Sequence, residues 1–186
     1  GGFAIAYTRD QHPPSVSDYA ETIVSSMIDG CSRLNMELPT LVIEPGRAIT
    51  GPSGVAIYKV GSTKNIEGVR KYVSVDGGMG DNIRPVLYDS NYEALVANNM
   101  NGESKEKVTI VGKYCESGDV LVKDVILPIL SPDDIIAIPA SGAYCLPMSS
   151  NYNLNPKPPV IMVKDGDARI IRRRETFSDQ MSLDVE

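Results

Sequence analysis

With 186 residues, the chain can bury one good hydrophobic core or two small ones. Its 42% apolar content contains no run long enough to span a bilayer, and a net charge of −6 without a basic stripe argues against nucleic acid as the main partner. Three cysteines (Cys31, Cys115, Cys145) with no CxxC pair indicate neither a disulfide frame nor a zinc site, and point to a reducing, cytoplasmic setting. The single histidine, His12, lies before Pro13-Pro14, so a histidine triad or metal cluster is not expected. Catalysis would have to rest on Cys, Tyr, Lys, carboxylates or a cofactor.

Gly1-Gly2 reads as a turn, and Phe3-Ala-Ile-Ala-Tyr7 as the end of a strand. A chain that opens in mid-motif, on Gly instead of Met, is expected to be a fragment, and no signal peptide is seen at its start. Ser15 to Asn35 predicts a helix, with Ser15 or Ser17 as its cap just past Pro13-Pro14. Tyr19, Ile23, Val24, Met27, Ile28, Cys31 and Leu34 share one face at helical spacing. That face is expected to be buried, with Cys31 in the core. Leu41-Val-Ile43 predicts a short buried strand that stops at Glu44-Pro-Gly-Arg47. Turn, helix and strand in this order predict that residues 1–50 are the last part of a parallel α/β layer.

From Gly54 the texture changes. Val55 to Val60, Lys71 to Val75, Tyr92 to Ala97, Val108 to Tyr114, Val120 to Leu127, Asp134 to Pro139 and Val160 to Arg173 are short, β-branched and separated by Gly, Pro, Asn and Asp. They predict a mostly antiparallel β-sandwich or barrel over residues 51–186, making the whole chain α+β. Asp165-Gly166 is a hairpin turn signal. Asp81 to Asp89 predicts a helical turn or two, limited by Pro85. Arg172-Arg173-Arg174 reads as a solvated strand end, and the tail from Thr176 as a short helix.

The stretch Val111-Gly-Lys-Tyr-Cys-Glu-Ser-Gly-Asp119 gathers a thiol and two carboxylates at a strand–turn–strand tip, with Ser117-Gly118 as the turn. Its chemical reading is a thiol that gives or takes a proton, beside a Glu that holds a cation. A small buried hydrophobe is the commoner fate of a free Cys. Four turns are also rich in functional groups. Gly1-Gly2 offers bare N–H groups that can cradle a phosphate. Glu44-Pro-Gly-Arg47 ends a strand, where Arg47 can fork onto a carboxylate or phosphate or make a surface ion pair. In Asp76-Gly-Gly-Met…Tyr88, Arg84 and Tyr88 are four apart, so a helical turn would put both on one face for a carboxylate. In Ser141 to Asn153, Tyr144 could reach a phosphate or fill a hydrophobic seam, and Cys145 is expected to pack.

Five motifs together carry a resemblance. Gly1-Gly-Phe…Tyr7, Glu44-Pro-Gly-Arg47, Asp76-Gly-Gly-Met…Asp-Asn-Ile-Arg-Pro-Val-Leu-Tyr88, Cys115-Glu-Ser-Gly-Asp119 and Gly142-Ala-Tyr144…Ser-Ser-Asn-Tyr-Asn153 resemble the diaminopimelate decarboxylases in order and spacing, over essentially the whole chain. Glu116 directly after the Cys favours this family over the ornithine and arginine decarboxylases, which usually carry Asp there. The resemblance implies a pyridoxal-phosphate enzyme built from a TIM-type (β/α)8 barrel followed by a β domain, with residues 1–50 as the end of the barrel. It implies a homodimer whose active site is shared between subunits, or a complex with the N-terminal segment that this chain lacks. Gly1, Gly2, Glu44, Pro45, Gly46 and Arg47 would hold the cofactor phosphate. Arg47, Arg84 and Tyr88 would hold the substrate's distal carboxylate. Cys115 would be the proton donor and Glu116 would read the distal ammonium, both across the dimer interface, and Tyr144 would touch cofactor and substrate. A donor thiol must stay protonated, and burial of Cys115 is expected to serve that end.

One departure from the family is large. A TIM barrel takes about 250 residues, far more than residues 1–50 supply, and the family's Schiff-base lysine lies in the part not present. No lysine of this chain falls in a matching motif, so the chain alone is expected to be inactive. The alternatives are another decarboxylase of the fold, of ornithine or arginine type, or a regulatory homologue without catalysis. An intact Cys115-Glu116 pair speaks against the latter.

Overall fold

The computed structural model describes residues 1–185. Eight strands and four α-helices are present among them: α1 (Val16–Leu34), α2 (Gly46–Thr50), β1 (Ala56–Ile66), β2 (Arg70–Val75), α3 (Arg84–Tyr88), β3 (Leu95–Val96), β4 (Glu106–Val111), β5 (Val120–Leu127), β6 (Ile135–Ile138), β7 (Val160–Lys164), β8 (Asp167–Arg172) and α4 (Phe177–Gln180). Six strands form one sheet in the order β3-β6-β1-β2-β4-β5, and β7-β8 is a separate hairpin. The main sheet is antiparallel except for β2 and β4, which run parallel.

That parallel pair shapes the site. A parallel connection cannot be a tight turn, and the crossover from β2 to β4 carries the Asp76–Asp81 turn, α3 and β3. Ser74 of β2 pairs in register with Val111 of β4, and Val111 pairs with Val120 of β5. Ala56 pairs with Ile138 and Val60 with Val75. The segments that follow β2, β4 and β6, and the one that precedes β1, therefore leave the sheet at one end. All the motif-bearing turns of the second region meet there.

The core lies within this sheet. Val60, Val73, Val108, Ile110, Leu121, Ile136 and Ile138 are essentially inaccessible, and burying each contributes about 1.5–3 kcal/mol. The pairing of β1 with β2 shifts between Val60 and Thr63, a bulge at Gly61, where a Cβ would lie 3.2 Å from Ser74 Oγ. Ser74 Oγ accepts from the Ser62 N–H at 2.9 Å across that bulge.

Residues 1–50 differ from the sequence expectation. The helix forms as predicted, with Ser15 and Asp18 in a reciprocal capping box. None of its residues is buried, however: Val24, Ile28 and Leu34 are exposed and Cys31 is only half-buried. Leu41-Val-Ile43 is exposed and forms no strand, and neither does Phe3 to Tyr7. A strand exists only against a hydrogen-bonding neighbour, and no neighbour pairs with these segments among the described residues. The expected strand Tyr92 to Ala97 contracts to Leu95–Val96. The Asp165-Gly166 hairpin forms with both residues at positive φ (52° and 86°), the conformation of a two-residue primed turn. Arg173 is not merely solvated, because it forks onto Asp179, with Nη2 to Oδ1 at 2.7 Å.

Candidate active site

Two groups of predicted residues gather at the active end of the sheet. The first is built around Arg84. Asn82 Oδ1 accepts from the Arg84 N–H at 3.3 Å, and α3 buries the Arg84 side chain. Its guanidinium lies 4.9 Å from the centre of the Tyr7 ring, 5.2 Å from Tyr144 and 5.9 Å from Tyr92. Nη1 donates to Tyr92 Oη at 2.8 Å. Burial pushes the Tyr92 phenol well above its ordinary pKa, so it stays neutral and accepts from Arg84. A charge this buried needs such partners, and each ring contact contributes about 0.5–2 kcal/mol. Arg47 joins this cluster, its guanidinium 5.3 Å from the centre of the Tyr144 ring.

Local backbone geometry fixes Tyr144 beside both arginines. Ser141 N–H donates to Gly54 O at 2.9 Å and Gly142 N–H to Gly51 O at 3.1 Å. A Cβ on Gly142 would lie 1.9 Å from Thr50 O, so only glycine permits this approach. The loop is thus sewn to the end of α2, which carries Arg47. Tyr144 itself sits at φ 69°, a left-handed conformation that costs an ordinary residue about 1–3 kcal/mol and persists where surroundings enforce it.

Gly1 and the Glu44–Gly46 turn also come together: a Cβ on Gly1 would lie 3.7 Å from Glu44 O. Gly2 has φ 96°, and its Cβ position and that of Gly46 face open space. The first intrahelical bond of α2 is Ile49 N–H to Pro45 O, at 3.1 Å. The N–H groups of Arg47 and Ala48 precede it and are left over for another acceptor. Open glycine backbone, spare N–H groups and the Arg47 guanidinium suit a phosphate-bearing cofactor.

The second group is the Cys115–Asp119 tip. Cys115 and Glu116 are both exposed, so the expected burial of Cys115 does not occur within this chain. The Cys115 side chain projects from a loop that its neighbours hold largely through backbone. Cys115 N–H donates to Asn153 Oδ1 at 3.2 Å. Glu116 is tethered by Tyr152, whose Oη donates to its Oε2 at 3.4 Å, while Oε1 accepts from Ser117 Oγ and the Gly118 N–H, each at 3.3 Å. Asp119 is buried beneath the tip and binds only backbone. Of the three polar groups expected to form a reactive tip, one is therefore internal scaffolding.

Arg84 and Tyr88 are the first and last residues of α3, which buries Arg84 and leaves Tyr88 exposed. Asp89, in the left-handed conformation, ends the helix right after Tyr88. Among the described residues no hydrogen bond, ion pair or ring contact joins the Arg84 group to Cys115 or Glu116. Cys145 packs as expected: it is buried, its thiol is pushed up by burial, and it lies 3.8 Å from Tyr92 Oη. Tyr7 and Tyr92 were not foreseen as site residues, since nothing local marks a tyrosine as the wall of a distant arginine.

Residues 8–142 match the family described as pyridoxal-dependent decarboxylase, C-terminal sheet domain. The chain is 44% identical over 185 residues to the diaminopimelate decarboxylase of Bacillus subtilis (strain 168), covering 100% of this chain and 42% of that protein. It is 46% identical over 184 residues to that of Synechocystis sp., covering 99% and 39%. The crystal structure of diaminopimelate decarboxylase from M. jannaschii in complex with L-lysine superposes with a TM-score of 0.89 at 32% identity, covering 97% of this chain and 40% of that one. The chain spans roughly two fifths of the length of these relatives. It belongs to the pyridoxal-dependent decarboxylases, as their C-terminal sheet domain, and is similar throughout to the C-terminal part of the diaminopimelate decarboxylases.

Proposed function

We propose that this chain is the C-terminal portion of a diaminopimelate decarboxylase, which converts meso-2,6-diaminopimelate to L-lysine and CO2. The observation that carries the reading is the exposed Cys115-Glu116 pair on a pinned loop, in a chain similar end to end to such enzymes. Residues 1–50 are the end of the cofactor-binding barrel and residues 51–186 the β domain.

Gly1, Gly2, Glu44 to Arg47 and Tyr144 would hold pyridoxal phosphate, which would supply an electron sink for the pair left by departing CO2. The chain's own residues then have three tasks. Arg84 and Arg47, held rigid by Tyr144, bind the distal carboxylate, with Tyr88 as a further contact. A guanidinium already immobilised by stacking loses little freedom on binding, so it orients the substrate at low entropic cost. Glu116 pairs with the distal ammonium. Cys115 gives its Sγ proton to the carbon that lost CO2, forming a C–H bond, and the thiolate regains a proton from water.

The separation of the two groups supports a homodimer. Arg84 and Arg47 of one subunit serve one site, and the exposed Cys115 and Glu116 serve the partner's. Exposure of the donor thiol in a lone subunit fits this division, because the partner would cover it.

The test is lysine release from meso-diaminopimelate by the full-length parent enzyme with pyridoxal phosphate, beside this chain. Lysine from the parent alone is expected. Release by this chain would mean that one of its lysines holds the cofactor. No release by either would overturn the substrate assignment in favour of ornithine- or arginine-type decarboxylation. Glu116→Asp should shift preference toward substrates with a shorter arm, and full activity and selectivity in that variant would remove the role given to Glu116.

A further inference from the structure

Asp119 is one of the few buried charged residues among those described, at 4% exposure, and no cation pairs with it. Its two oxygens reach backbone on both sides of a gap. Oδ1 accepts from the Met79 N–H at 2.7 Å, and Oδ2 accepts from the Tyr114 N–H at 2.8 Å. One N–H belongs to the crossover that leads into α3 and Arg84. The other belongs to the residue just before Cys115. The main chain of Asp119 closes the loop as well, with Gly112 N–H to Asp119 O at 3.0 Å.

The surrounding sequence yields space to this carboxylate. A Cβ on Gly112 would lie 2.1 Å from Asp119 Oδ2, and one on Gly78 would lie 2.5 Å from Oδ1. Both glycines are needed where they stand because the carboxylate fills the volume that any side chain would take. Lys113 N–H donates to Gly77 O at 3.0 Å, a further stitch between the same two segments. The tip that displays Cys115 and Glu116 is therefore fixed from beneath, through backbone, while the Cys115 and Glu116 side chains stay exposed.

We propose that Asp119 is a positioning residue for the proton donor: its carboxylate locks the Cys115-Glu116 tip to the segment that carries Arg84. This rests on the roles proposed above for Cys115 and Glu116. An ionised carboxylate accepts both N–H groups, whereas an amide must turn its NH2 toward one of them. Burial holds the Asp119 carboxyl above the ordinary aspartate pKa, while the Tyr114 and Met79 N–H groups pull it back down. Glu116, Lys113 and Asp81 are the charged groups around it.

The test uses the full-length parent loaded with pyridoxal phosphate, as wild type, Asp119→Asn and Asp119→Ala. Amide hydrogen exchange at Met79 and Tyr114 is expected to quicken roughly tenfold in Asp119→Asn and further in Asp119→Ala, with exchange in β1 and β2 unchanged. The kcat for lysine release should fall in the same order, by roughly tenfold and then more, with the cofactor absorbance spectrum unaltered. Unchanged exchange at the two amides would overturn the proposal, as would faster exchange with kcat intact, or protection lost evenly across the sheet in Asp119→Asn. If Asp119→Ala does not fold, Asp119→Asn decides. A wild-type parent that releases no lysine breaks the decarboxylase reading instead. Exchange together with the rate of Cys115 alkylation by iodoacetamide then decides Asp119: an altered rate supports positioning and an unaltered one overturns it.

Discussion

The Arg84 cluster and the Cys115 tip use opposite means to prepare a side chain. Around Arg84 the constraint is applied to the side chain itself, by three tyrosine rings and a phenolic hydrogen bond, inside the chain. At Cys115 the constraint is applied to the backbone, by Asp119 and Asn153, and the side chains are exposed. A binding group can be finished within one chain, because its job is to wait in one geometry. The proton-donor role proposed for Cys115 requires it to meet a reacting atom, and its side chain is presented outward from a pinned loop.

The largest effect should come from removing the proposed donor. In the full-length parent, Cys115→Ala is expected to lower kcat for lysine release at least about a hundredfold with a smaller change in KM, the signature of a group that acts in the transition state. A KM-only effect would reassign Cys115 to binding. Arg84→Lys comes next. It removes the planar stacking surface among Tyr7, Tyr92 and Tyr144 and should reduce kcat/KM by about 2 kcal/mol, roughly thirtyfold, chiefly through KM for diaminopimelate. Tyr92→Phe keeps the ring and deletes only the acceptor for Arg84 Nη1. A loss of about 1 kcal/mol in kcat/KM is expected, and a loss as large as that of Arg84→Lys would mean that stacking counts for little.

The smallest effect is electrostatic and lies beneath the Cys115 tip. Burial raises the Asp81 carboxyl above its usual value of 3.8. A folded-state value above the unfolded one means that the native state holds the proton longer. The stabilisation is then complete below 3.8 and is lost as pH rises through the raised native value. Asp81→Asn keeps an acceptor for the Gly78 N–H and removes the buried charge. Thermal unfolding should show the variant gaining stability over wild type at neutral pH, with the difference fading in acid. A constant difference at all pH values would show that packing, not charge, is responsible.

Much of the fold was legible wherever a local rule decides it. Ser15, one of two expected caps, marks the start of α1, Asp165-Gly166 marks the β7-β8 hairpin, and Ser117-Gly118 the tip. The β-branched runs of the second region become strands because each finds a neighbour. Leu41-Val-Ile43 carries the same signal and forms none, since a strand is a property of a pair and a short apolar run cannot name its partner. The parallel pairing of β2 with β4 was equally hidden, because pairing across a crossover leaves no local mark. In the site, motif resemblance marked Arg47, Arg84, Tyr144, Cys115 and Glu116, but not what holds them. Tyr7 is 77 residues from Arg84 along the chain, and only the folded structure brings its ring beneath the guanidinium. The expected helical turn forms as the five-residue α3, with Arg84 at its buried start and Tyr88 at its exposed end. Asp119 was grouped with the reactive tip, since a sequence gives no sign of which carboxylate turns inward.

The most direct test of the division between the two groups is subunit mixing in the full-length enzyme. Arg84→Ala and Cys115→Ala parents, each inactive alone, are mixed, allowed to exchange subunits, and assayed for lysine release. If each site draws Arg84 from one subunit and Cys115 from the other, half of the dimers are mixed and each regains one intact site, so roughly a quarter of wild-type activity returns. If both groups serve the same subunit's site, no mixed dimer contains an intact site, and the mixture stays as inactive as its parts.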